Sequence, residues 1–413
     1  MEFYPLNPWI INICLILGSV FIVELVRDIY HIVSHICLPL YKWHGWHHRV
    51  FRPDLTTVSK EIYQKAIWYH DIPESLVMLT FSILLWGLVF VCIPSYQWAT
   101  LAGIIYTLTF LLPAIARGIG LPNADKLTDL NHLPGAFPEP PTNWFVNRSY
   151  HWRHHFDNPN AYFCGTLTLV DKIMGTALSL KGKTVAVTGA SGSLGQSLLQ
   201  HLHQAGAKII ALTSKDQIIT LDIDGQSLEP STITWRIGQE DKLAKLFEKV
   251  DILVLNHGIN VHGQKTGEAI AKSYEINTFS SWRMLEIFLK TVKTNSDIAC
   301  KEVWVNTSEA EVNPAFSPLY ELTKRTLGDL VTLRRLDAPC VIRKLILGPF
   351  KSNLNPVCIM SADWVAKQIV KLAKADVRTI IVTINPLTFV AIPIKEFLVF
   401  MYFKLFTGDI LPH

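Results

Sequence analysis

Apolar residues are spread unevenly along this chain. Trp9 to Val23 is apolar, and the run continues through Glu24 towards His31. The run alone is short for a membrane span, but a helix carried on to His31 is long enough. From Ser75 to Ala116 no residue is charged, a stretch of 42. Pro94-Ser95 divides it near the middle. A span needs roughly 20 apolar residues, so this stretch predicts two membrane helices joined by a tight turn. After the polar junction Leu180-Lys181-Gly182-Lys183 the pattern changes. Thr184–Val187 reads as a strand, followed by a Gly-rich turn, a helical pattern and a second strand from Lys208 to Leu212. Further strand-like runs lie at Asp251–Leu255 and Val303–Val305. Pro386 to Phe406 is apolar again, with Lys395-Glu396 inside it. That interruption argues against a span. It leaves an interfacial helix, a cover over a lipid substrate, or a C-terminal core helix.

Composition agrees with a chain part-buried in lipid. Its 413 residues predict two or three domains, and 49% hydrophobic residues with mean hydropathy +0.26 are too apolar for an ordinary soluble enzyme. The net charge of +4 gives no case for a nucleic-acid partner. Seven cysteines without CxxC spacing do not read as a disulfide framework, which fits a reducing compartment. No cleavable signal peptide is expected, because the first residues carry no basic group and no small-residue cleavage site follows. The first eight residues lack Lys and Arg. Arg27, Lys42, Arg49, Arg52, Lys60 and Lys65 separate the first span from the hairpin, and Arg117, Lys126, Arg148 and Arg153 follow it. Positive residues stay on the cytoplasmic side. The N-terminus is therefore expected to face away from the cytoplasm, and everything after the hairpin to face it.

Candidate chemistry begins with histidine. Ten of the 15 histidines fall in the first 155 residues. Eight form three clusters: His31 and His35; His44, His47 and His48; His151, His154 and His155. Residues three and four apart share a helix face, so each cluster presents two or three imidazoles in one direction. Eight imidazoles exceed the needs of one ion and point to two metals. The expected topology keeps all three clusters on one side of the membrane. No cysteine accompanies them, unlike most structural zinc sites, and imidazole suits iron, zinc, copper and nickel.

The second cluster stands in Leu40-Tyr41-Lys42-Trp43-His44-Gly45-Trp46-His47-His48. The third is followed by Asn158-Pro159-Asn160-Ala161-Tyr162-Phe163 and by Val170-Asp171-Lys172-Ile173-Met174-Gly175-Thr176. These stretches resemble the LYxxHxxHH, HHxxxxxNYG and WDxxFGT motifs of the fatty acid hydroxylase/sterol desaturase superfamily of membrane di-iron oxygenases. Val170, Met174 and Ala161 depart from it at packing positions, not at ligands. The resemblance implies two irons, O2 as co-substrate, an external electron donor of ferredoxin or cytochrome b5 type, and attack on an unactivated C–H bond of a lipid. It also makes His132, in Asn131-His132-Leu133-Pro134, a ninth ligand. His70 lies outside the clusters and reads as a solvated residue or one that supports a ligand.

In the second half, Thr188-Gly189-Ala190-Ser191-Gly192-Ser193-Leu194-Gly195 sits between strand and helix, where glycines let a backbone approach a pyrophosphate. Leu255-Asn256-His257-Gly258, Asn277, Ser308 and Tyr320-x-x-x-Lys324 follow in order. The set resembles the short-chain dehydrogenase/reductase family over residues 182 to about 385. By that resemblance Tyr320 exchanges a proton with an alcohol or carbonyl oxygen, and Lys324 lowers the Tyr pKa and holds the ribose. Ser308 positions the substrate oxygen, and Asn277 supports the proton relay. Gly189, Ser191, Gly192, Leu194, Gly195, Asn256 and Gly258 join Tyr320 and Lys324 in binding the cofactor. The chain departs from the family in TGxxGxxG for TGxxxGxG, in His257 for Ala, in Gly348-Pro349 reversed, and in Asn306-Thr307-Ser308-Glu309, where direct alignment puts the usual serine on Glu309. NAD-specific sites carry an acid after the second strand. Here Thr213, Ser214 and Lys215 stand instead, which favours NADP(H) over NAD(H).

The expected fold is thus an α-helical integral membrane domain over 1–180, an α/β Rossmann-like doubly wound parallel sheet over 181–385, and an amphipathic or interfacial segment over 386–413. The expected function is a bifunctional membrane oxidoreductase of lipid metabolism. It pairs O2-dependent hydroxylation or desaturation of a lipid with NADP(H)-linked alcohol/carbonyl redox. The pairing also resembles plant wax-synthesis proteins. Alternatives are fatty aldehyde or carotenoid chemistry at the same histidine site, or a membrane-anchored reductase or lipid/redox sensor with one half inactive.

Overall fold

The computed structural model describes residues 7–127, 130–223, 225–352 and 358–408. Residues 1–6, on which the expected N-terminal orientation partly rests, lie outside these, as do 409–413 of the expected C-terminal segment. The chain forms two compact units. The first comprises residues 1–137 and 144–176, and the second 138–143 and 177–413. The second unit thus takes in residues 138–143, and with them the segment after 385 that the sequence set apart.

The first unit is helical. Pro8 opens α1 (Pro8–Ile36), where Asn7 caps the backbone amide of Trp9. α2 (Leu38–Arg49) follows a one-residue break at Cys37. α3 (Lys60–Cys92) and α4 (Gln97–Gly118) form the hairpin, and α5 (Arg148–Phe156) carries the third histidine cluster. Pro8–Ile36, Lys60–Cys92 and Pro94–Gly118 are long and apolar enough to cross a bilayer, with mean hydropathy 2.4, 2.4 and 1.8. The helices begin earlier and run further than the uncharged runs alone imply, because their ends dip into the histidine-bearing region. Between α3 and α4, Ser82 and Thr107 hydroxyls lie 3.0 Å apart, the kind of polar contact that ties apolar helices together. α3 is not regular: Ile67–Asp71 is a π-helical turn.

The second unit is a seven-stranded parallel sheet: β1 (Thr184–Thr188), β2 (Lys208–Thr213), β3 (Ser231–Thr234), β4 (Ile252–Leu255), β5 (Glu302–Asn306), β6 (Val341–Leu347) and β7 (Thr379–Val382). Their order is β3-β2-β1-β4-β5-β6-β7. The reversal between β1 and β4 opens a crevice at the carboxyl ends of the strands, where such sheets bind ligands. Side chains alternate across the sheet. Val185 and Val187 pack with α6 (Ser193–Gln204) and α9 (Ala362–Lys374). Ala186 faces α7 (Ser280–Leu289) and α8 (Pro318–Arg334). Consecutive charged residues of β6 are both fully buried. Arg343 pairs with Glu302 and Asp376, while Lys344 pairs with Glu311 and Glu396. Glu396 belongs to α10 (Thr388–Phe406), the last helix. The Lys395-Glu396 interruption therefore turns inward as a pin, and Val390, Ile394, Phe397, Leu398 and Leu405 remain exposed.

Candidate functional site

Four segments carry the histidines into one region of the first unit. α1 supplies His31 and His35, α2 supplies His44, His47 and His48, a short turn supplies His132, and α5 supplies His151, His154 and His155. The nine fall into two groups. His31, His35, His44, His48 and His154 have ligand nitrogens within 4.8 Å of one another, and so do His47, His132, His151 and His155. In the first group Nε2 of His31 lies 3.0 Å from Nε2 of His154, and those of His44 and His48 are 2.9 Å apart. In the second, Nε2 of His151 lies 2.9 Å from His132 and 3.1 Å from His155.

The hydrogen bonds test whether these nitrogens fit a metal. Nδ1 of His31 donates to the carbonyl of Phe163, and Nδ1 of His154 to the carbonyl of Ala161. Each ring's single proton is thereby fixed on Nδ1. Both Nε2 atoms then present lone pairs to each other with no proton between them. Such a pair repels unless a cation is shared, and the donor set fits a metal on that ground. Burial, reinforced by neighbouring imidazoles, holds His44, His47, His151, His154 and His155 well below the ordinary histidine pKa, and His48 at about 3. Neutral imidazole is the metal-binding form.

The loop that orients His31 and His154 is built on Asp171. Its carboxylate accepts from the amides of Phe163 and Cys164 and from the hydroxyls of Tyr150 and Thr176. Tyr162, at φ +60°, adopts a left-handed conformation and is fully buried. The left-handed residue lets the carbonyls on either side of it reach two different histidines. A Cβ on Gly165 would meet the Arg27 guanidinium, so a larger residue there would push that side chain aside.

His70 is buried, not solvated. The π-helical turn brings its Nδ1 to 3.1 Å from Nδ1 of His44, and its ring centroid to 4.3 Å from that of His47. His47, His70 and Asp71 form a third close group. The sequence signal was a polar His-Asp pair set against an apolar stretch, outside any HxxxH spacing.

In the second unit the predicted residues line the crevice. A Cβ on Gly195 would overlap the Gly189 carbonyl oxygen, so only glycine lets α6 start this close to β1. Leu194 is buried in the sheet core, leaving its backbone alone for a cofactor. Thr213 Oγ1 reaches Ser191, while Ser214 and Lys215 are exposed at the end of β2. Asn256 Oδ1 accepts from Asn306. Gly258 approaches Asn277, whose side chain clamps the backbone of Ile259 through both its amide and its carbonyl oxygen.

Tyr320 and Lys324 lie one turn apart on α8. Ser308 hydrogen-bonds to Tyr320, which partly offsets burial in pushing the phenol up. Lys324 Nζ donates to the Asn306 carbonyl at 2.9 Å, and burial pulls its pKa down to about 8. Glu309 accepts from Thr383 and Thr388. Ser308, not Glu309, is therefore the residue beside Tyr320. His257 fills the space beneath the crevice, with Nδ1 2.9 Å from Thr188 Oγ1 and its ring against Trp235. The Tyr–Lys–Ser set can exchange a proton with an oxygen whose carbon is oxidised or reduced.

Residues 183–337 match the family model of the short chain dehydrogenases. A monoglucosyldiacylglycerol epimerase of Synechocystis sp. is 64% identical over 403 residues, which are 97% of this chain and 98% of that protein. A dehydrogenase/reductase SDR family protein 7-like of Drosophila melanogaster is 27% identical over 140 residues, 29% of this chain and 43% of that one. Among solved structures, a Burkholderia cenocepacia short chain dehydrogenase in complex with NADP is 15% identical at TM-score 0.44, covering 56% of this chain and all of its own. The second unit contains a short chain dehydrogenase domain, and the chain as a whole belongs to the family of the Synechocystis monoglucosyldiacylglycerol epimerase.

Proposed function

We propose that this chain inverts one hydroxyl-bearing carbon in the sugar headgroup of a monoglucosyl glycolipid, by oxidation to a ketone and reduction on the opposite face. The observation that carries the reading is the Ser308–Tyr320–Lys324 set within a chain alike over 97% of its length to an epimerase. A nicotinamide cofactor fits the crevice, where Gly189, Gly192, Gly195 and Asn256 would hold it, with Lys215 as partner for the extra phosphate of NADP(H). When bound, it supplies acceptance of a hydrogen with its electron pair and return of the same. Tyr320 takes the hydroxyl proton as the ketone forms and gives it back as the alcohol is restored. Lys324, one turn along α8, would counter the burial that pushes the Tyr320 phenol up, and Ser308 fixes the oxygen. No net oxidant is consumed. The test is incubation of the purified chain with monoglucosyldiacylglycerol and NADP+ or NAD+, with sugar analysis of the product. A galactosyl or other epimeric product supports the reading, and unchanged glucose overturns it.

The histidine groups favour a second activity in the first unit. They would hold two irons, which supply O2-dependent oxidation of a C–H bond with electrons from an external ferredoxin- or cytochrome b5-type donor. His31 and His154 keep their tautomers through Phe163 and Ala161. Two irons per chain, lost in His154→Ala, support this reading. Zinc alone, or no metal, overturns it. The three apolar helices would span a membrane with the histidine groups towards the cytoplasm.

A further inference from the structure

A cavity of about 330 Å³ lies against the histidine groups, reached by His31, His47, His132 and His151. That volume is at the low end for small-molecule sites, which run from about 300 to 1,000 Å³. Its other walls are unlike a channel for an alkyl chain. Arg27, Asp28, Asp71, Glu74 and Arg117 all line it.

Both arginines are engaged through their terminal nitrogens, while the Nε of each has no partner among the described residues. Arg27 donates to Glu24 and Thr166, each at 2.6 Å. Arg117 donates to Asp71 at 3.1 Å and to the Leu127 carbonyl at 2.6 Å. Two carboxylates remain. Asp28, 3% exposed, accepts from the Gly165 amide. Glu74 has no hydrogen bond or ion pair to any described residue, although it faces the cavity from inside an apolar helix. An ionisable group in such a place marks a functional site. Phe51, Phe110 and Phe163 line the same walls, Phe51 stacked on His132 and Phe110 against the Arg27 guanidinium.

An acyl chain has no hydrogen-bonding group for either carboxyl and would leave Glu74 without a partner. A sugar has both kinds of surface. Its hydroxyls donate to carboxylates, and its C–H faces lie against aromatic rings. We propose that this cavity binds the hexose headgroup of a glycolipid, with hydroxyls donating to Asp28 and Glu74, so that a headgroup carbon rather than an acyl methylene meets the histidine centre. This rests on the glycolipid substrate proposed above.

The test uses the full chain in phosphatidylcholine nanodiscs. One probe is a glucosyl diacylglycerol with a diazirine on the hexose; its twin carries the diazirine at an acyl terminus. After irradiation and digestion, the hexose probe should label peptides around residues 28, 74 and 110. Unlabelled glucosyl lipid should protect them, and Glu74→Gln should cut labelling at least fivefold. Labelling there by the acyl-terminus probe, or labelling by the hexose probe of the second unit alone, overturns the proposal. The unmodified chain gives this answer even if a variant misfolds. Epimeric product without first-unit labelling removes only this inference, whereas first-unit labelling without epimeric product removes only the epimerase reading.

Discussion

The carbonyl oxygen of Phe163 lies 2.7 Å from Nδ1 of His31, joining residues 132 apart in the chain. The same loop holds His154 through Ala161. Both contacts depend on Asp171, which accepts from the amides of Phe163 and Cys164. Asp171→Asn turns one acceptor oxygen into a donor facing those amides. Metal affinity should fall by about 10–100-fold, the usual effect of losing a ligand's outer partner. Metal per chain after dialysis against a graded chelator checks this, with nucleotide binding by the second unit unchanged.

Tyr320→Phe keeps the ring that Lys324 overhangs and removes the proton. Turnover should fall by about 10²–10⁴-fold. Isothermal titration should find NADPH affinity within about twofold of the parent, because the glycine turn and Asn256 are untouched. An unaltered turnover would remove Tyr320 from the reaction.

Lys215 is exposed just beyond β2, where a 2′-phosphate is read in such folds. Lys215→Glu should weaken NADPH at least tenfold and leave NADH equal or tighter. Equal loss for both cofactors would show that Lys215 does not read the phosphate.

His257 is held neutral down to about pH 3 by burial, with the positive Lys324 nearby adding to the effect. In the unfolded chain it titrates near 6.5. Between those values unfolding takes up a proton, so this contribution is complete above pH 6.5 and is lost as pH falls towards 3. The slope it adds is about 1.4 kcal/mol per pH unit at most. His257→Gln should flatten the acid limb of the second unit's thermal unfolding by that amount, read against pH between 7 and 4.

Much of the site was legible because its residues follow local spacing rules. HxxxH and HxxHH place imidazoles on one helix face whatever the tertiary fold, and the eight clustered histidines fall into the two groups, joined by His132, which only the family resemblance picks out. The strand–glycine–helix order similarly announced the crevice. What escaped depends on non-local geometry. Nothing around Tyr162 declares a left-handed residue, whereas the sequence already prefers Ser308 to Glu309, and the glutamate is taken up by Thr383 and Thr388. Asp28 and Glu74 look like stray charges at the edges of apolar runs. Their shared cavity appears only when α1 and α3 are packed.

The π-helical turn at Ile67–Asp71 sets a rule about chain length. Each helical residue advances the side-chain direction by about 100°, so one extra residue in a turn acts as a phase shift between the two ends of α3. With it, His70 faces His44 while the hairpin half keeps its own apolar side outward. Deleting a single residue from this turn would restore a regular helix and rotate one end against the other. Either the imidazole would leave the histidine groups or the wrong stripe would face lipid. Relatives that keep this centre should therefore hold a fixed count across residues 66–72.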